Sequence, residues 1–260
     1  MRFLYTIILS NWMIKKHLIN SCEFHITILY FYYRVKNVHV TTFNFGTITL
    51  VFNRRRSFMK FNKTLVSSLL FAHILLFFSF QSNIPFWIIF PLTFSILSIL
   101  GIRFGDLEMK GKIKHIMGYG FFSGLLLYLI FFIGKWIIHF IYPPLLENLL
   151  AVYAYVEPKE VWHYLVLFTI IICGEELFWR GYIQPKLISL LSSKSLGICF
   201  AAGLYASVNL YAGSSIFVVA SIIGGLFWGF LYVWKRNMVL NIVSHIVFDL
   251  FLIVLFPLFR

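Results

Sequence analysis

Charge is scarce in this 260-residue chain and acid scarcer still: Asp, Glu, Lys and Arg make up 12 %, with nine acids against 22 bases. A soluble domain of ordinary composition carries about a quarter charged residues. That class is excluded, and 60 % hydrophobic residues with a mean hydropathy of +0.87 exclude it again. Proline numbers seven and glycine 16, which rules out collagenous and low-complexity chains. Three cysteines, Cys22, Cys173 and Cys199, are too few and too scattered for a disulfide framework or a Cys-x-x-Cys metal site. Cys173 and Cys199 fall in apolar runs, where a thiol behaves as a small hydrophobe. The net charge of +13 is not laid out for nucleic acid, because the bases lie between apolar runs rather than along one polar face. No nucleic-acid partner is expected.

Long apolar runs are what the chain has instead. The first 58 residues stand apart: Arg2, Lys15, Lys16, Arg34, Lys36, Arg54, Arg55 and Arg56 face the single acid Glu23. Their apolar stretches, such as Ile26 to Tyr33, fall short of the ~20 residues a membrane helix needs. Met59 is followed by Lys60, Lys63 and an unbroken apolar run from Leu65, which is how a multi-span membrane protein begins. Residues 1–58 are therefore expected to be poorly structured or a mis-assigned gene start, and 59–260 to form the functional helical domain.

From Met59 the reading is an all-α, multi-pass transmembrane bundle of about seven spans: roughly Leu65 to Phe80, Ile84 to Ile102, Met117 to Tyr142, Val161 to Trp179, Leu196 to Ala212, Ile216 to Trp234 and Met238 to Phe256. A closed barrel would show ten-residue alternation instead. If the segment before the first span is cytoplasmic, loops on that side carry fourteen bases: Arg54, Arg55, Arg56, Lys60, Lys63, Arg103, Lys110, Lys112, Lys114, Arg180, Lys186, Lys194, Lys235 and Arg236. The other side carries three, Lys135, Lys159 and Arg260. This asymmetry supports seven spans with the N-terminus cytoplasmic. The long loop Pro143 to Glu160, with Glu147, Glu157 and Glu160, is expected to lie partly on the membrane surface.

Three acids, Glu175, Glu176 and Asp249, fall within or beside apolar spans. A carboxylate there costs at least ~2.5 kcal/mol, and function is the default reason for such a cost. Glu176 and Arg180 stand at i and i+4 and can pair on one helical face; Glu175 points about 100° away, at ~3.6 residues per turn, and stays free to act. Asn241, His245 and Asp249 form a stripe at i, i+4, i+8 in the last span, and Tyr205 and Asn209 stand four apart in the fifth. Polar stripes on apolar helices look into the bundle, so the three faces could converge. Each has a bland alternative: a structural ion pair for Glu176 and Arg180, a packing hydrogen bond for His245 and Asp249, and an interhelical one for Asn209. Trp162, Trp179 and Trp228 read as lipid-facing or core, and His73, His139 and His163 as packing. Counted from the cytoplasmic ends at ~1.5 Å per residue, Glu175 lies about 7 Å deep and Asn209 nearly 20 Å. They meet only if the fourth helix continues past Arg180, or the fifth begins later than Leu196. The stretch Tyr182 to Leu191 is apolar enough to permit the first.

The set Glu175-Glu176-x-x-x-Arg180, Tyr205-x-x-x-Asn209 and His245-x-x-x-Asp249 resembles the CPBP family of intramembrane proteases, which includes the prenyl-protein (CAAX) endopeptidases and bacterial Abi proteins. The family pattern is EExxxR, FxxxH, then HxxxN or HxxxD. The resemblance covers roughly Val161 to Leu258 and departs at the second motif, where Tyr205 replaces Phe and Asn209 replaces His. It implies an intramembrane endopeptidase acting on a membrane-anchored protein or peptide, placed in the cell membrane, such as a bacterial inner membrane. With one core histidine and no HExxH pair, a three-ligand zinc site is disfavoured against metal-free hydrolysis, and no cofactor is expected. In that mechanism Glu175 activates water, Arg180 holds Glu176, His245 and Asn209 donate hydrogen bonds to the water or oxyanion, and Asp249 orients His245 or accepts its proton. Two other readings stand beside it: an inactive relative serving as membrane scaffold or bacteriocin-immunity factor, and a transporter or proton pathway. The last would fit better with paired repeats or Gly/Pro-broken helices, and the chain has neither.

Overall fold

The structure, a computed structural model, describes residues 45–258, with side chains from residue 63 onward except at Asn148. The chain divides into two units, Met1–Thr64 and Leu65–Arg260. The expectation for residues 1–58 lies outside the described residues for 1–44 and, for side chains, throughout. The rest concerns the second unit.

Among the described residues, seven helices are long and apolar enough to cross a membrane: α1 (Phe45–Gln81, of which Lys63–Gln81 is the apolar crossing), α2 (Phe86–Phe104), α3 (Ile113–Ile141), then α5 (Val161–Leu191), α6 (Lys194–Ala212), α7 (Ser215–Lys235) and α8 (Met238–Leu255). A shorter helix, α4 (Pro144–Val156), lies between α3 and α5. No strand forms among the described residues, and the seven-span all-α reading holds. Apolar runs of this length close every backbone hydrogen bond within themselves, as lipid requires.

Three turns decide how the last four spans pack. Each joins a residue in the left-handed region, which ends one helix, to a Ser or Asn that caps the next. Ser192 (φ 52°) precedes Ser193, which accepts from Leu196 N–H at 3.4 Å; Gly213 (φ 76°) precedes Ser214, which accepts from Phe217 N–H at 3.4 Å; and Arg236 (φ 51°) precedes Asn237, which accepts from Leu240 N–H at 2.9 Å. Caps of these types satisfy donors that helix starts leave open. Turns this short make α5, α6, α7 and α8 successive antiparallel neighbours.

The fourth span differs from its expected length: it runs to Leu191, well beyond Trp179. Glu175 and Asn209 therefore sit at matching depth, each roughly 23 Å from the α5–α6 turn at ~1.5 Å per residue. α2 crosses α5 closely enough that Cβ atoms would collide. One on Gly101 would stand 2.7 Å from the Leu177 backbone, and one on Gly174 2.7 Å from the Phe94 carbonyl oxygen. α4 packs against α2, α3 and α7 rather than lying only on the surface, and Tyr153 donates to the Leu252 carbonyl of α8 at 3.2 Å.

The loop between α2 and α3 is latched to the α7–α8 turn, which places the two on one membrane face as an alternating seven-span topology demands. Pro185 has no N–H to give the Gly181 carbonyl four residues earlier; Asp106 N–H donates there instead, at 2.9 Å. Met238 N–H donates to the Glu108 carbonyl at 2.7 Å, and Asn237 Nδ2 to the Lys110 carbonyl at 2.8 Å. The Glu108 carboxylate meets Arg236 at 2.5 Å and Lys110 at 2.8 Å. The hydrogen bond from Lys110, aided by Arg236, holds this carboxyl below its ordinary range despite partial burial.

Candidate active site

The wall of the site is built on α5, which is not uniformly α-helical. Leu167–Ile171 and Glu176–Ile183 are wound as π-helix on either side of the short α segment Ile172–Glu175. Such segments are rare and cluster at functional sites, where the wider turn re-aims side chains. Here the change of winding falls between the two glutamates, so they face different neighbours.

Glu176 is fully buried and has three partners. Arg180, itself 2 % exposed, approaches Oε1 at 3.3 Å; His245 Nδ1 meets Oε1 at 2.9 Å; and Asn241 Nδ2 donates to Oε2 at 3.1 Å. Asn241 also donates to the Trp228 carbonyl at 2.9 Å. Arg180 is held on its other sides by the Gly224 carbonyl, 3.4 Å away, and by the faces of Tyr205 and Trp228, 4.7 and 5.4 Å from their ring centres. Every partner of this buried charge comes from α5, α6, α7 or α8, so the Glu176–Arg180 pair joins four helices. A buried charge without such partners would be strongly destabilising.

Glu175 faces the opposite way. Tyr205 donates its hydroxyl to Oε2 at 3.3 Å, and His245 Nε2 stands 3.7 Å from the same oxygen. Asp249 Oδ2 is 3.9 Å from that ring nitrogen. His245 thus bridges the two glutamates: with carboxylate Glu176 accepting at Nδ1, Nε2 is turned to Glu175 and Asp249. Its orientation comes chiefly from Glu176, closer than Asp249 by 1.0 Å. Trp228 stacks on the imidazole at 3.8 Å with 24° between planes, and its indole N–H donates to Ser244 at 3.2 Å.

Glu175, Tyr205, Asn209, His245 and Asp249 line one cavity of about 220 Å³. Ser221 and Trp228 join them at this polar end; the remainder is apolar, with Phe86, Trp87, Phe90, Leu149, Val156 and Ile171 prominent. Several of those belong to α4 and the start of α2, so the cavity runs from mid-span toward that face of the bundle. Glu176 and Arg180 do not line it; they lie behind it. Asn209 reaches the cavity, but its Nδ2 donates to the Tyr205 carbonyl at 3.1 Å rather than to either glutamate. All six residues singled out in the sequence are gathered here, in two layers. Two further residues complete the wall. Tyr205 was legible from its place in the second motif. Trp228 reads from sequence only as lipid-facing or core; it is core, 3 % exposed, yet also the surface on which His245 rests, and no sequence signal distinguishes the two.

A carboxylate next to an imidazole and a hydroxyl, on the wall of a largely apolar cavity, can accept a proton from water and polarise a carbonyl. Among the described residues no three His, Cys, Asp or Glu are grouped as a metal ion would require. Residues 157–251 match the family model for type II CAAX prenyl endopeptidase, Rce1-like, and this segment contains Glu175, Glu176, Arg180, Tyr205, Asn209, Trp228, His245 and Asp249, whereas the apolar lining from α2 and α4 lies outside it. The resemblance read from the three motifs is borne out there. No curated protein and no solved structure matches the chain.

Proposed function

We propose that the protein is an intramembrane endopeptidase that hydrolyses a peptide bond of a membrane-associated protein with a glutamate-activated water. The observation carrying this is the meeting of Glu175 Oε2 with Tyr205 and His245 on the cavity wall. Glu175 takes a proton from water as the water oxygen attacks the amide carbonyl carbon, giving a tetrahedral oxyanion. The amide N–H of Asn209 not committed to Tyr205, together with Nε2–H of His245 as the imidazolium, hydrogen-bonds the water and then the oxyanion; one such donor is worth roughly 3 kcal/mol. Glu175 returns the proton to the amide nitrogen as the C–N bond breaks, leaving a carboxylic acid and an amine. Glu176 with Arg180 fixes His245 from behind, and Asp249 flanks its Nε2. No metal is assigned a part: a catalytic zinc takes three protein ligands, commonly His and carboxylate, and the site offers a single histidine, His245.

The substrate chain lies in the apolar part of the cavity, and the protein sits multi-pass in a cell membrane, of the bacterial inner type, with its N-terminus cytoplasmic. The bases of the α2–α3 loop and the α7–α8 turn, which the latch joins on one face, support a cytoplasmic placement of that face, and the family match supports a membrane protein. Full-length protein in detergent, given internally quenched peptides ending in a Cys-a-a-X box with and without a farnesyl thioether, tests it. Glu175→Gln should lower turnover at least ~10²-fold, the usual contribution of a general base, with unchanged unfolding. Retained turnover in that variant ends the proposal. If the wild type cleaves neither peptide and cells carrying Glu175→Gln keep their membrane proteome and biological role, the inactive-relative reading takes its place.

A further inference from the structure

In the motif pattern the aromatic position on α6 is Phe, which has no polar atom; here it is Tyr205, and its hydroxyl is the only group of α6 that hydrogen-bonds Glu175. The residue four positions on, Asn209, ties one amide hydrogen to the Tyr205 carbonyl. Both contacts of Glu175, from Tyr205 at 3.3 Å and from His245 at 3.7 Å, fall on Oε2, which leaves Oε1 for a water. Behind Tyr205, the Arg180 guanidinium lies 4.7 Å from its ring centre. A cation on the ring face draws electron density from the phenol and makes its O–H a stronger donor. Trp179 packs edge-on against the same ring at 5.6 Å and holds it in place.

From this geometry we propose that Tyr205 is a positioning residue of the hydrolysis. Its hydroxyl pins Oε2 of Glu175 so that Oε1 addresses the attacking water, and Arg180 strengthens that hydrogen bond through the ring. Arg180 thereby serves both glutamates, Glu176 by charge and Glu175 through Tyr205. The proposal rests on Glu175 being the base, and the two can fail separately.

Tyr205→Phe removes the hydroxyl and nothing else, and keeps the ring over Arg180. In full-length protein carrying [¹³C]glutamate in lipid nanodiscs, the infrared carboxyl band absent from Glu175→Gln identifies Glu175. That band should move in Tyr205→Phe, since carboxyl stretches report hydrogen bonds directly. With the quenched peptides, kcat should fall about tenfold or more, the worth of a hydrogen bond to a charged group, while KM stays within about twofold and unfolding is unchanged. An unmoved band overturns the proposal, whether or not a cleavable peptide has been found. An unchanged kcat, or a loss confined to KM, overturns it as well while leaving Glu175 as base, provided Glu175→Gln is inactive. Turnover in Glu175→Gln removes the base itself.

Discussion

Breaking the Glu176–Arg180 pair should destabilise the bundle more than any exposed charge change, and by an amount that depends on which partner is lost. Removing one member of a buried pair costs about 3 to 5 kcal/mol because the other is stranded. In Glu176→Gln, Arg180 keeps the Gly224 carbonyl and the faces of Tyr205 and Trp228, and a desolvated ring face is worth up to about 2 kcal/mol. The loss should lie near the low end, about 3 kcal/mol. In Arg180→Met, Glu176 retains His245 at 2.9 Å and Asn241 at 3.1 Å, but the Tyr205 and Trp228 rings also lose the group between them. About 4 kcal/mol is expected. The double variant leaves no stranded charge, so its cost should fall short of the sum of the single costs by at least about 1 kcal/mol, the coupling that contacting residues show. Equilibrium unfolding in mixed detergent, followed by circular dichroism, measures all three. Additive costs, or an Arg180→Met loss under about 1 kcal/mol, would refute the view that this pair holds α5 to its neighbours.

Two further outcomes follow from the fold. A methyl on Gly174 would sit 2.7 Å from the Phe94 carbonyl oxygen and 2.8 Å from its Cβ, so Gly174→Ala should destabilise by about 1 to 3 kcal/mol, the cost of overpacking; an unchanged unfolding midpoint would show that α2 and α5 separate freely. The carboxyl of Glu108 is held below its ordinary range chiefly by Lys110, so its stabilising effect is present above the unfolded-state value, near pH ~4.3, and disappears as pH falls through the lower folded value. The stability gap between wild type and Glu108→Gln should therefore be constant near neutrality and close only in acid; a gap that closes on the alkaline side contradicts the latch.

The match between sequence and structure is closest where a physical constraint acts on one segment alone. Span number and the other span ends came through nearly unchanged, the end of α5 excepted, because a run of apolar residues in lipid has no hydrogen-bond partner but itself. Glu176 and Arg180 were legible as a pair because four residues is a fixed local distance on a helix. The end of α5 was legible only as a condition for Glu175 to meet Asn209: Arg180 looks like a loop charge in a linear reading, and its burial against α6 and α7 makes it an interior residue. The α2–α3 latch was hidden, since Pro185 announces a missing donor without saying that Asp106 replaces it.

By itself, then, the order of residues determined an all-α membrane chain of seven crossings and the polar positions that such a chain must hide. Which way each polar group turns was decided by the tertiary structure. Glu175 looks into the cavity and Glu176 away from it, His245 bridges them, Trp228 supports the imidazole and Tyr205 reaches across from α6. The rotation of one helix against the next is set by packing, through close crossings such as Gly174 on Phe94 and changes of winding such as the π turn after Glu175. No periodicity within a single segment encodes these, because they are properties of pairs of helices.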